Sequence, residues 1–101
     1  MKIIEKLSKQ IEEEICDAKK YALMALDVKD DHPELGRVLY TISLQEMGHM
    51  EMLHDAVVKI IAEYRQSNGD PPARMMDVYE YLHNKHTEDA ANVKIIQSMY
   101  K

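Results

Sequence analysis

The stretch Leu39-Tyr40-Thr41-Ile42-Ser43-Leu44-Gln45-Glu46-Met47-Gly48-His49-Met50-Glu51-Met52-Leu53 decides how the rest of the chain is read. It sets a carboxylate and an imidazole inside an otherwise apolar helical seam. Leu35, Leu39, Ile42, Glu46, His49, Leu53, Ala56 and Ile60 step by four and three residues alternately, which keeps one face of a helix turned toward a neighbour. Two of these eight positions are metal-ligand types. A buried carboxylate is costly unless something compensates it, so packing alone would place Leu or Ala at 46 and 49.

Upstream, Ile4, Leu7, Ile11, Ile15, Ala18, Ala22 and Ala25 form the apolar stripe of a first helix from about Lys2 to Lys29, with Glu14 and Tyr21 on the same stripe. Asp30-Asp31-His32-Pro33-Glu34 is a turn. Asp31 or His32 can cap the next helix, Pro33 suits its first turn, and Asp31 with Glu34 has capping-box spacing. The second helix runs to about Gln66, where Ser67-Asn68-Gly69-Asp70-Pro71-Pro72 supplies a left-handed glycine and two prolines. Residues 73–101 read as two short helices broken near His86-Thr87, with Thr87 as a cap for a segment carrying Val93, Ile96 and Met99. The expected fold is all-α: a single domain over 1–101, with a long antiparallel hairpin at 1–66 and two short helices within 70–101. A second apolar stripe on helix two, Met47, Met50, His54, Val57 and Ile61, requires cover beyond helix one.

Composition bounds the function. At 101 residues, 46% hydrophobic and 31% charged, the chain can build one small core. It has no Phe or Trp, three Gly and three Pro, which suits helices. A net charge of −5 with scattered Lys and Arg argues against nucleic acid and suits a cation. The single Cys16 excludes an intramolecular disulfide and a cysteine-based zinc or rubredoxin-type iron site, and reads as a small core residue. With no long apolar run and no signal segment, a soluble cytoplasmic protein without a membrane partner is expected.

If the turn is centred near Asp31 and Pro33, residues of the two helices share a height when their numbers sum to roughly 63. Glu14 then faces His49, and Glu46 lies one turn away beside it. Glu46 and His49 are three apart on one helix face and can bind one metal ion together. Glu-x-x-His alone is weak: the composition gives roughly half a pair by chance, and three occur, Glu46/His49, Glu51/His54 and Glu80/His83. Glu51 points away from the seam, and no buried carboxylate can be set opposite Glu80/His83, so both pairs read as surface or rim. His32, His54, His83 and His86 receive no role. Gly48 costs a helix about 1 kcal/mol relative to Ala, which either close approach of a neighbour or plain tolerance explains. Met47, Met50 and Met52 read as gap fillers rather than copper ligands.

Glu14-x6-Tyr21 followed by Glu46-x-x-His49 resembles the ligand pattern of the ferritin-like di-iron carboxylate proteins, especially the first half of a rubrerythrin domain. The resemblance covers about Ile4 to Ile61. Nothing after Gly69 supplies a second such hairpin, so half a site is encoded. Two copies would complete the set of Glu from two helices and Glu-x-x-His from two more that builds a di-iron bundle. One hairpin per chain, with iron between subunits, is most similar to the encapsulated ferritins, although no encapsulin-docking extension is evident at Ser98-Met99-Tyr100-Lys101. The resemblance implies a homodimeric four-helix bundle and a ferroxidase-type di-iron enzyme. Glu14, Glu46 and His49 would be metal ligands holding two irons per dimer, or manganese. Tyr21 would hydrogen-bond a ligand or donate an electron, or else be a core tyrosine. Two other functions fit the same residues: an adaptor whose polar seam sets register and partner choice, and an iron-binding protein without turnover.

Overall fold

Long runs bounded by Pro33, Gly69 and the Pro71-Pro72 pair, with glycine inside them only at Gly36 and Gly48, fold as three helices. In the computed structural model, which describes residues 1–101, these are α1 (Lys2–Val28), α2 (Pro33–Asn68) and α3 (Ala73–Ser98). The chain is all-α. Pro33 opens α2, with its fixed φ suited to a first turn, but neither Asp31 nor His32 makes a side-chain cap, so the capping box does not form. Gly69 ends α2 at φ 75° and ψ −164°, a region essentially reserved for glycine, while its N–H still donates to the Arg65 carbonyl. No helix is long and apolar enough to cross a membrane.

The C-terminal region differs from the sequence expectation. Instead of two short helices broken at His86-Thr87, α3 is continuous from Ala73 to Ser98. Thr87 is not a cap: its hydroxyl donates to the His83 carbonyl at 2.8 Å, the back-bond a threonine makes inside a helix. With no Gly or Pro between 73 and 98, nothing stops propagation. At 26 residues α3 spans about 39 Å and lies along most of the hairpin, which the two short helices could not do.

The helices run up, down and up. Ser43 on α2 meets Ala18 on α1, and Gln97 on α3 meets Ser43, so α2 is antiparallel to both. Lys85 pairs with Glu12 at 3.1 Å, and the Met1 ammonium approaches Met75 Sδ at 3.2 Å, which sets α3 alongside α1. The result is a rod of 56 × 18 × 18 Å. Near the turn, α1 offers Ala18, Ala22 and Ala25, all essentially inaccessible, and α2 offers Gly36 and Ser43. A Cβ on Gly36 would sit 3.0 Å from Lys29 Cα, so only glycine allows the backbones this close. Farther along, Ile4, Ile11 and Ile15 pack with Met47, Val57, Ile61, Ala90 and Val93.

The buried stripe of α2 is Gly36, Leu39, Ser43, Met47, Val57 and Ile61. It takes Met47, Val57 and Ile61 from the second apolar stripe of the sequence and Leu39 from the first, and it packs mainly against α1, with Ala90 and Val93 of α3 joining the same core. The seam through Leu35, Ile42, Glu46, His49 and Leu53 lies on the flank, half-buried or exposed. Cys16 is exposed rather than in the core. Gly48 lies on the solvent side with nothing within 4 Å of an added Cβ, so no close intrachain approach explains it.

The Ser43 hydroxyl ties all three helices, donating to the Ala18 carbonyl at 2.6 Å and accepting from Gln97 Nε2 at 2.9 Å. Ser43→Ala removes both bonds and strands the buried Gln97 amide, which should lower stability by about 1–3 kcal/mol. Gly48→Ala, by contrast, should raise it by up to about 1 kcal/mol. Urea unfolding of the two variants tests both signs; an unchanged midpoint for Ser43→Ala would contradict the three-helix tie.

Candidate metal centre

The close approach at the turn fixes the register of the hairpin, and three to four turns farther on that register brings α1 and α2 side chains of ligand type together. His49 Nδ1 lies 3.4 Å from Glu14 Oε2 and 3.9 Å from Glu46 Oε2. One ligand atom from each of Glu14, Glu46 and His49 falls within 4.8 Å of the others, and this is the one such group in the chain. The two carboxylates are largely buried, whereas the imidazole is 57% exposed and stands at the mouth. The site therefore opens outward from the hairpin, on the side away from α3.

Glu14 is held from the preceding turn, where Gln10 Nε2 donates to its Oε1 at 2.9 Å. Its Oε2 is buried and has no hydrogen-bond partner, because the nearby His49 nitrogen does not meet hydrogen-bond geometry. A buried acceptor without a donor is destabilising. A cation held jointly by Glu14, Glu46 and His49 would satisfy it, and a donor set of two carboxylates and an imidazole suits Fe(II), Mn(II) or Zn(II). The residues present fit a metal ion.

Electrostatics point the same way. Glu14 and Glu46 titrate as a pair with one proton between them near neutral pH, and the Glu46 carboxyl beside it holds Glu14 below the ordinary carboxylate value. The interaction with the Glu14 carboxyl, followed by burial and by the charge on Glu14, pushes Glu46 up to about 7. Two adjacent carboxylates cannot both ionise freely without a counter-charge.

Tyr21 lies two turns beyond Glu14 on the same row of α1, half-buried, about 10 Å along the axis. Its hydroxyl makes no hydrogen bond within the chain and none to Glu14, Glu46 or His49. A different pair, set aside in the sequence as surface, does meet: His54 Nε2 lies 3.2 Å from His83 Nδ1, with the rings stacked at 4.9 Å. Reading α3 as one continuous helix antiparallel to α2 would have brought His83 and His86 to the level of His54, since Gln97 opposite Ser43 sets that register within one turn. The glutamates of those two pairs, Glu51 and Glu80, do not join it in a three-ligand group. The chain matches no family model, no curated protein and no solved structure.

The raised Glu46 value makes stability depend on pH. The folded chain holds this proton more tightly than the unfolded one, whose value is the ordinary 4.5. The Glu46 contribution is thus complete below that value and is lost as pH rises through about 7. Glu14, shifted the other way, contributes above the ordinary value and is lost only in more acid solution. Metal-free protein should therefore lose stability between about pH 5 and pH 8, and Glu46→Gln should flatten that decline. Urea midpoints across the range measure it; parallel profiles for the two proteins would contradict the shared proton.

Proposed function

We propose that this chain is a ferritin-like, di-iron ferroxidase-type protein that works as a homodimer, each copy supplying Glu14, Glu46 and His49 to a site on the two-fold axis. The observation that carries the reading is the convergence of those three side chains around a buried, unpartnered carboxylate oxygen on the open flank of the hairpin. One chain provides half the ligands of a di-iron bundle. An isologous pairing of two hairpins would provide the rest, because the same patch meets itself. Supporting it, Leu7, Glu14 and Tyr21 on α1 and Leu35, Ile42 and His49 on α2 repeat every seven residues, with Ile3, Met24, Glu46 and Leu53 interleaved at steps of three or four. Ile3, Met24 and Leu35 on these rows are 46%, 41% and 46% exposed, an apolar flank that a second hairpin would cover.

Fe(II), as substrate, supplies one electron per ion to oxygen or peroxide and ends as Fe(III). The chain's own residues do the rest. Glu46, sharing its proton near neutral pH, releases it as the cation enters, and the charged carboxylates then favour the more highly charged product. Gln10 holds Glu14 in the receiving orientation. His49 at the mouth is the first ligand an incoming ion meets. Tyr21, with an uncommitted hydroxyl on the same seam, is placed to hydrogen-bond within the closed site or to donate an electron.

One observation favours a second reading: the shared proton lets the carboxylate pair stand without any metal, as a polar seam that only sets register would require. Anaerobic Fe(II) titration followed by exposure to oxygen separates the two. Glu46→Ala should abolish iron binding and oxidation, while Glu51→Ala and Glu80→Ala leave both nearly intact. Fe(II) at a hundredfold excess over Kd should also stabilise the wild type by about 2.7 kcal/mol. Equal losses in all three variants, or no stabilisation by iron at neutral pH, would leave the polar seam as a register device.

A further inference from the structure

A cleft of about 420 Å³ opens between α2 and α3, and none of Glu14, Glu46 and His49 lines it. Three of the five histidines line it: His54, His83 and His86. The His54 Nε2 to His83 Nδ1 separation is 3.2 Å. Two imidazole nitrogens bound to one ion at about 2.1 Å stand about 3.0 Å apart at a right angle and about 3.4 Å apart at a tetrahedral one. The observed separation lies between these. The rings are already stacked within 24° of parallel, and χ2 of histidine is soft, so a modest rotation aims both lone pairs at one point.

The surroundings are those of a ligand pair rather than of two chance neighbours. Asp55 Oδ1 lies 3.8 Å from the other ring nitrogen of His54, beyond hydrogen-bond distance but near enough to add negative charge beside the pair. Tyr79 stacks on His83 at 5.8 Å and limits the other ring. His86, only 7% exposed, lines the same cleft, and its Nε2 is buried without a hydrogen-bond partner. Burial lowers the pKa of that ring and so favours its neutral form. The cleft thus contains a polar group that nothing in the chain satisfies, beside two nitrogens at ligand spacing.

We propose that His54 and His83 form a second metal site, for a borderline divalent ion of the zinc type, with its remaining positions facing the cleft. His86 is not a ligand, since the three imidazoles do not close into one group. Its Nε2 instead hydrogen-bonds to water or a small anion that fills the open coordination positions. The consequence is mechanical. α3 rests mainly on α1 and touches α2 little, so an ion shared by His54 and His83 clips α3 to α2 across their weakest contact. This site requires neither iron nor a second copy of the chain, and it stands or falls independently of the iron reading.

Zn(II) added to His49→Ala protein, in which the other cluster has lost its imidazole at an exposed position, tests the proposal. Long-range ¹H–¹⁵N spectra should show the ring nitrogens of His54 and His83 shifting together at one equivalent. Amide protection should rise around His83 in α3. In calorimetry, His54→Gln and His83→Gln, each introduced into the same background, should weaken Zn(II) binding at least tenfold. Both rings are half-buried rather than core, and the spectra of the parent decide the matter should either variant fail to fold. Unmoved His54 and His83 resonances, or binding unaffected by either substitution, would reduce the pair to an ordinary imidazole hydrogen bond.

Discussion

The close approach of α1 and α2 near the turn is the constraint on which the rest of the molecule depends. Ala18, Ala22 and Ala25 on one side and Gly36 and Ser43 on the other let the two backbones come near enough for Ser43 to reach the Ala18 carbonyl at 2.6 Å. A larger side chain at any of these positions would push the helices apart. The contact fixes height as well as distance: with Ser43 opposite Ala18, His49 must lie opposite Glu14. Gln97 then reaches the same hydroxyl from α3 and sets the third helix by the first two. One buried serine thus carries the register from the turn to both histidine-containing sites.

Much of this is legible in the sequence, and the boundary of what is legible has physical causes. Pro33 and Gly69 mark the ends of α2 because their backbone limits are local properties. The facing of Glu14 and His49 follows from equal rise on two antiparallel helices, which needs only the position of the turn. What the sequence hides is which of two apolar stripes the chain buries for itself. Leu35-Ile42-Glu46-His49-Leu53 and Gly36-Ser43-Met47-Val57-Ile61 are both apolar enough to pack, and the second is the one buried, mainly against α1 with Ala90 and Val93 of α3 completing the core. Thr87 misleads because a hydroxyl that can cap a helix start can equally bond back to the His83 carbonyl within a helix. That one misreading also conceals the His54–His83 contact, since two short helices give no register for α3. Cys16, small and apolar, gives no local sign that it faces solvent.

The two flanks of the rod present different chemistry. On one, carboxylates predominate, and their mutual repulsion is relieved inside a single chain by one shared proton. Pairing two copies there, as proposed, would gather four carboxylates at one level, a concentration of negative charge that hard or borderline cations offset and that protons offset only at lower pH. On the other flank, three imidazoles line the cleft, one of them with a buried, unsatisfied nitrogen. Oxygen-rich and nitrogen-rich donor sets discriminate among divalent ions by softness. A chain with net charge −5 can attract cations generally, and the two proposed sites would then sort them by donor set.

The central claim is that the outward-facing half-site is completed by a second copy around iron. Native mass spectrometry of the anaerobic, Fe(II)-loaded protein tests it most directly, because one spectrum reads subunit number and bound metal together. The account predicts a dimer carrying two irons, with Glu46→Ala reduced to an iron-free species. A monomer at micromolar concentration with iron in excess, or a dimer whose mass is the same with and without iron, would contradict it.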